Sequence, residues 1–198
     1  MATVDWLSYL NTQSLLPPRS HVVEANQFLG ERQSMNIAVD CGCGAGRDAL
    51  YLLEQGFQVY AFDKDLPTIE KLAQHSLAAS NPMLDVKISS FGEYHFPRSH
   101  LVNASACLFY SEPNEFAIFW KNMVKSLFSG GIFCGHFIGK DDIGFDEKLP
   151  ILTHTKEEIE DLLEGFYVIA WQEKRERSSQ LTGEQRYWTV YTVTALKK

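Results

Sequence analysis

Five apolar runs, each bounded by polar or turn-forming residues, alternate with stretches whose apolar residues recur every three to four positions. NIAVDC (36–41), FQVYAFD (57–63), DVKIS (85–89), LVNASACLF (101–109) and IFCGHFIG (132–139) read as buried strands. Between them, Arg47 to Gln55 reads as a helix with Gly56 just past its end. Asp65 is placed to cap a second helix, Leu66 to Ser76, where Pro67 is tolerated because it falls in the first turn. SEPNEFAIFWKNMVKSLF predicts a third, with Ser111 as its cap and SGG (129–131) as its stop. Thr155 and Glu158 fit a capping box opening a helix over 155–164. The chain then changes character: YVIAWQEK (167–174) and QRYWTVYTVTALKK (185–198) are two strand-like runs joined by a polar link containing Gly183. No helix separates them, so they predict an antiparallel hairpin appended to a parallel sheet. In the last run apolar residues fall at both parities, as in a strand covered on both faces. The fold class predicted is α/β, with a mostly parallel sheet and helices on both faces.

The length, 198 residues, suits one compact domain (1–198), with a helical segment over 1–33 ahead of the first strand. The formal net charge of −7, with both signs interspersed, argues against broad binding to nucleic acid or to an anionic membrane. No run approaches the length of a membrane-spanning helix, and MATVDWLSYLNTQ has neither a basic start nor a long apolar core. Cys41, Cys43, Cys107 and Cys134 form no C-x-x-C pair, so neither a disulfide framework nor a metal site is expected. The cysteines and the missing leader together predict a cytoplasmic protein.

The chemistry concentrates in VDCGCGAGRDAL, directly after the first strand. Gly42, Gly44 and Gly46 are spaced G-x-G-x-G, and Arg47 stands where a dinucleotide fingerprint has its third glycine. A second anchor, Asp63, ends the second strand 21 positions beyond Gly42, near the spacing of an acid that takes ribose hydroxyls. Two neutral hydroxyls can both donate to one carboxylate. Loop and acid together indicate an adenosine-type ligand at the carboxyl ends of strands one and two.

IAVDCGCGAGRDALYLLEQGFQVYAFDKD resembles the first two motifs of class I S-adenosylmethionine-dependent methyltransferases. It is most similar to the tellurite-resistance-type, small-molecule methyltransferases, whose loop has the form aliphatic-Asp-x-Gly-Cys-Gly-x-Gly-Arg. The resemblance spans nearly the whole chain and is strongest over residues 37–65. It implies a Rossmann-like sheet of seven strands whose seventh is inserted antiparallel. It also implies S-adenosylmethionine as cofactor, with Asp40 and the Gly42-Cys43-Gly44 backbone facing its methionyl end and Gly46 completing the loop. Asp63 would take the ribose diol, Lys64 would flank the adenine through its backbone, and Ser90 and Phe91 would contact the ring where the family usually has an acid. Ala104 and Ser105 would line the sulfonium, and Arg19 would pair with the methionyl carboxylate.

Methyl transfer needs a general base only when the acceptor is not already ionised. His136 and Tyr110 are the first choices for catalytic groups, with His21, Glu112 and Asp141 beside them. Where other methyltransferases place a motif such as Asn-Pro-Pro-Tyr, this chain has Phe109-Tyr110-Ser111-Glu112-Pro113, so nucleobase and protein-amide acceptors are disfavoured. Most of Trp120, Trp171, Tyr187 and Trp188 read as core residues, whereas Trp6 and Tyr9 fall on a segment suited to lie over the cofactor. The sheet and its helices consume almost all of the chain, which favours a small-molecule acceptor, a thiol or metalloid. Two rivals stay open: a non-catalytic S-adenosylmethionine-binding protein and an NAD-dependent oxidoreductase.

Overall fold

The computed structural model describes residues 16–30, 35–140, 151–179 and 185–198. Seven strands form one sheet in the order β3-β2-β1-β4-β5-β7-β6. They are β1 (Ile37–Cys41), β2 (Gln58–Asp63), β3 (Leu84–Ile88), β4 (Ser99–Ala104), β5 (Leu127–Ile138), β6 (Phe166–Ser179) and β7 (Gln185–Lys197). The first five pair in parallel, and β7 runs antiparallel between β5 and β6. This is the Rossmann-like sheet with a terminal hairpin that the sequence predicts. Among the described residues the α-helices are α1 (Ser20–Leu29), α2 (Arg47–Glu54), α3 (Leu66–Ala73), α4 (Pro113–Ser126) and α5 (Lys156–Leu162).

Side chains alternate across the sheet with the period of two that a strand imposes. Ala38, Leu101, Ile132 and Cys134 join Val22, Leu52 and Leu72 of α1, α2 and α3 in one cluster. Their strand neighbours Val39, Val102 and Phe133 join Phe119, Trp120 and Ile159 of α4 and α5 in another. Helices therefore cover both faces. Strand order reverses direction between β1 and β4, the switch point at which open α/β sheets form a crevice beyond the strands' carboxyl ends.

Several boundaries differ from the sequence expectation for local reasons. β4 stops at Ala104 rather than running to residue 109, because Ala106 takes a left-handed φ of 57° and a short 3-10 turn, Leu108–Tyr110, follows. Ser111 caps nothing: its hydroxyl donates to the Glu112 carbonyl, and α4 starts with Pro113 at its first position. SGG does not stop that helix; Leu127 turns extended and β5 begins there, with a register shift opposite Ser99 and Leu101. Lys197, on β7, donates from Nζ to the Val124 and Leu127 carbonyls at 2.6 and 2.8 Å, closing the end of α4. Tyr187 is exposed rather than core, with the Arg175 guanidinium 5.6 Å from its ring centre. Trp120 is buried between α4 and α5, its indole N–H donating to the Leu162 carbonyl. Trp6, Tyr9 and Asp141 lie outside the described residues, and among those described no helix is long and apolar enough to cross a membrane.

The capping box forms as the sequence predicts. Thr155 Oγ1 accepts from the Glu158 N–H, and Glu158 Oε2 accepts from the Thr155 N–H. Thr155→Ala is expected to cost about 1 kcal/mol, lowering the thermal midpoint by roughly 2–4 °C. An unchanged midpoint would mean that α5 does not depend on its cap.

Candidate functional site

The two anchors read from sequence meet in space. The Gly44 N–H donates to Asp63 Oδ2 at 3.0 Å, and the Asp65 N–H donates to Asp63 Oδ1 at 3.1 Å. Asp63 thus ties the loop after β1 to the end of β2, and each of its oxygens keeps a lone pair in reserve. Lys64, next to it, is exposed. Gly42 and Gly46 are glycine because of neighbours within the protein. A Cβ on Gly42 would stand 2.5 Å from Cys107 Cβ, and one on Gly46 would stand 2.3 Å from Leu72 Cδ1. Both also have positive φ, 59° and 90°. Cys43 is buried beneath the loop, its N–H donating to the Phe62 carbonyl.

Below the loop lies a buried polar network that the sequence reading only touched. Asp40 and Asn103 are register partners on β1 and β4. Asn103 Nδ2 donates to Asp40 Oδ1 at 2.7 Å and to Asp48 Oδ2 at 3.4 Å. Asp48, in the first turn of α2, also takes the Arg19 guanidinium and, at 3.0 Å, the Arg19 N–H. On its other side Asn103 Oδ1 accepts from the Ser105 hydroxyl. That hydroxyl has only one proton, so at its 2.6 Å contact with His21 Nε2 the serine accepts and His21 donates. Arg19, His21, Asp40, Asp48, Asn103 and Ser105 therefore form one connected unit across the switch point. His21, Asp48 and Asn103 were missed as a group because 84 and 55 positions separate the bonded pairs. A sheet register would have found Asp40–Asn103.

Asp40 Oδ2 is buried without a partner among the described residues. Burial first, and then the neighbouring Asp48, push its carboxyl up to about 8. Burial depresses His21 to about 4 and His136 to about 3. His136 Nδ1 accepts the Ala106 N–H at 3.1 Å, and the His21 and His136 ring centres are 4.6 Å apart. Phe91 packs edge-on to Phe62 and Phe119 beside the loop, and the Ser90 hydroxyl donates to Glu93. Tyr110 lies on the 3-10 turn with its ring against Phe109. Ala104 is fully buried at the end of β4. Beyond β4 and β5, a cavity of about 750 Å³ is lined by Glu112, Phe116, Trp120, Lys140, His154 and Glu158. Among the described residues no group of His, Cys, Asp and Glu is placed to hold a metal, and all four cysteines are free.

The sequence model of the family described as Tellurite resistance protein TehB matches residues 7–177. The chain belongs to the TehB family. Among solved structures, TehB from Haemophilus influenzae superposes with a TM-score of 0.75 at 18% identity, over 91% of this chain and 62% of that one. The TehB-family chain described here thus spans less than two thirds of that protein's length. The 1,6-didemethyltoxoflavin-N1-methyltransferase of Burkholderia thailandensis, solved with S-adenosylhomocysteine, gives 0.67 at 21% identity, covering 91% and 77% of the two chains. The magnesium protoporphyrin IX methyltransferase of Synechocystis PCC 6803, solved with S-adenosylmethionine, gives 0.65 at 15% identity over 97% and 81%. No curated protein matches the chain by sequence. At these identities the neighbours establish the shared fold.

The network makes stability depend on pH in both directions. Asp40 has a raised pKa, so its contribution is complete below the unfolded value of 3.8 and is lost as pH rises through about 8. His21 and His136 are depressed, so theirs is complete above 6.5 and is lost as pH falls towards about 4 and 3. Between pH 6.5 and 8 the Asp40 cost amounts to about 2 kcal/mol, or roughly 4–8 °C in the midpoint. Asp40→Asn is expected to flatten that limb of the ligand-free thermal-melt profile. An equal fall in the variant would place the titrating group elsewhere.

Proposed function

We propose that this chain transfers a methyl group from S-adenosylmethionine to a small-molecule acceptor such as a thiol or a metalloid anion. The observation that carries the reading is the pairing of the Gly44–Asp63 tie with the orphaned Asp40 oxygen, both at the switch-point crevice.

The chemistry of these groups fits the cofactor part by part. An α-ammonium offers donors and a positive charge, which a buried carboxylate oxygen lacking a partner requires. A ribose diol offers two hydroxyls, and Asp63 has lone pairs left on both oxygens after binding the loop. A methionyl carboxylate suits the Arg19 guanidinium, which Asp48 holds in a fixed orientation at the start of α1. Phe91, against Gly42, offers an apolar face for the adenine. On this reading Ala104 and Ser105, buried at the end of β4, would line the sulfonium. When bound, the cofactor supplies an electrophilic methyl group, and the protein's task is alignment of the acceptor with it. Arg47 opens α2, and its Nε–H donates to the Pro17 carbonyl. A side chain there suits S-adenosylmethionine better than a dinucleotide, whose third glycine serves close helix–strand packing. The family's printed description supports a metalloid acceptor, and the absence of the Asn-Pro-Pro-Tyr-type motif weighs against nucleobases.

Thermal unfolding with S-adenosylmethionine, S-adenosylhomocysteine and NADH separates this reading from its rivals. At 100 times its dissociation constant a ligand adds about 2.7 kcal/mol, a rise of roughly 5–10 °C. The rise is expected with both sulfur ligands and not with NADH; the reverse would make the protein an oxidoreductase. Binding without turnover of any acceptor would leave a non-catalytic binder. Asp63→Asn is expected to weaken S-adenosylhomocysteine about 10- to 100-fold, as for a lost hydrogen bond to a charged group. Unchanged affinity would remove Asp63 from the ribose site. Calorimetry in buffers of different ionisation enthalpy adds an independent check: at about pH 6.5, cofactor binding is expected to release protons as Asp40 ionises against the ammonium. No release would separate Asp40 from the ammonium.

A further inference from the structure

His136 is the candidate base whose hydrogen bonding decides what it has to offer. It lies on β5 two residues before the strand ends, so its ring stands at the carboxyl edge of the sheet. Ala106, in its left-handed turn after β4, donates its N–H to His136 Nδ1 at 3.1 Å. That bond occupies the Nδ1 lone pair. In a neutral imidazole the single ring proton must then sit on Nε2. Nε2 has no hydrogen-bond partner among the described residues, and the ring is half-buried rather than enclosed. Adding a second proton would require Nδ1 to give up the Ala106 amide and to face that donor with one of its own.

The surroundings press the same way. The charged and titratable groups acting on His136 are His21, Arg19 and Arg47, from α1, the turn before it and the start of α2. All are neutral or cationic. His21 is held with its proton on Nε2 by Ser105 and meets the His136 ring at 63°. A ring so placed keeps an Nε2–H that no group among the described residues takes up, with no carboxylate among the groups acting on it.

We propose that His136 Nε2–H is a hydrogen-bond donor that positions an anionic methyl acceptor, a thiolate or chalcogen oxyanion, so that transfer needs no general base. The proposal rests on the methyltransferase reading above. In the transfer the acceptor's lone pair forms the bond to the methyl carbon, and the carbon–sulfur pair returns to sulfur. The anion and the sulfonium lose their opposite charges together, so no proton moves and Nε2 keeps its hydrogen. A neutral amine, by contrast, would have to shed a proton that His136 has no free lone pair to take.

Two substitutions separate the ring's two nitrogens. His136→Asn keeps an acceptor for the Ala106 N–H but removes the distal donor; His136→Gln restores a donor near the Nε2 position. Calorimetry with protein saturated in S-adenosylhomocysteine reads binding of benzenethiolate and of selenite. His136→Asn is expected to weaken both anions about 10- to 100-fold while leaving S-adenosylhomocysteine affinity within about twofold, and His136→Gln to recover most of the loss. With benzenethiolate as acceptor, kcat/KM should fall in parallel, and its pH profile should follow the thiol's own ionisation in every variant. Histidine-labelled nitrogen NMR of the ligand-free protein should report His136 neutral with the proton on Nε2 between about pH 5.5 and 8.

Unchanged anion binding in His136→Asn would overturn the proposal. So would a proton on Nδ1, or methylation of aniline with a rate limb near pH 6–7 that His136→Asn abolishes. If the wild type fails to bind S-adenosylhomocysteine, the methyltransferase reading falls, and the NMR tautomer still decides separately whether Nε2 carries the proton.

Discussion

A carboxyl group that water cannot reach stands near the end of β1, and the crevice is arranged around it. Asp40 is 2% exposed; its Oδ1 takes the Asn103 amide across the β1–β4 register, and among the described residues its Oδ2 has no hydrogen-bond partner. An unpaired charge in such a place costs several kcal/mol, so the surrounding groups are constrained to divide charge and protons among themselves. Asp48 takes the Arg19 guanidinium, while Asn103 spends its two amide protons on the acids and turns its oxygen to Ser105. His21 completes the chain through Ser105. Every donor direction in the unit follows from that one buried acid, and the unit pins the start of α1, the start of α2 and the ends of β1 and β4 together.

The loop above is held by contacts of its own. Asp63 accepts the loop's amide at Gly44 and the next turn's amide at Asp65. Cys107 and Leu72 fill the space beside Gly42 and Gly46. A site preorganised by the protein's own contacts spends little of its binding free energy on ordering. One side of the crevice is thus anchored by β2 and the other by the turn after β4.

Much of this was legible in the sequence, and the limits have physical causes. The strand–glycine loop–acid arrangement shows in Gly42 to Asp63 because a fixed loop and a short helix set the spacing. The capping box at Thr155 and the helix-free hairpin are likewise local patterns. The Arg19–Asp48 pair and the His21–Ser105–Asn103 chain are not local: they depend on which strand ends become neighbours. Ser111 looked like a cap because composition does not reveal that Pro113 would set the helix start, and the end of β4 was hidden because nothing in LVNASACLF announces a left-handed alanine. For His21 and His136, residue type carries no information about which ring nitrogen is engaged, and only the fold shows their contacts with Ser105 and the Ala106 N–H.

The placement of β7 bears on how the chain is assembled. β6 is made before β7, yet β7 is the strand through which it joins the sheet, pairing from Phe166 against Lys197 to Ser179 against Gln185. During synthesis β6 therefore emerges as a long strand with both edges bare, and β5 keeps one open edge of its own. The carbonyls at the end of α4 also wait for Lys197. The β5–β7 pairing, such as Ile138 with Val190, and the Lys197 contact with Val124 join distant parts of the chain and close late, because the intervening chain must be ordered before the contacts offset its entropy. The window before β7 arrives is when β5 and β6 are most open to wrong partners, so a nascent chain that stalls there is the form most in need of a chaperone.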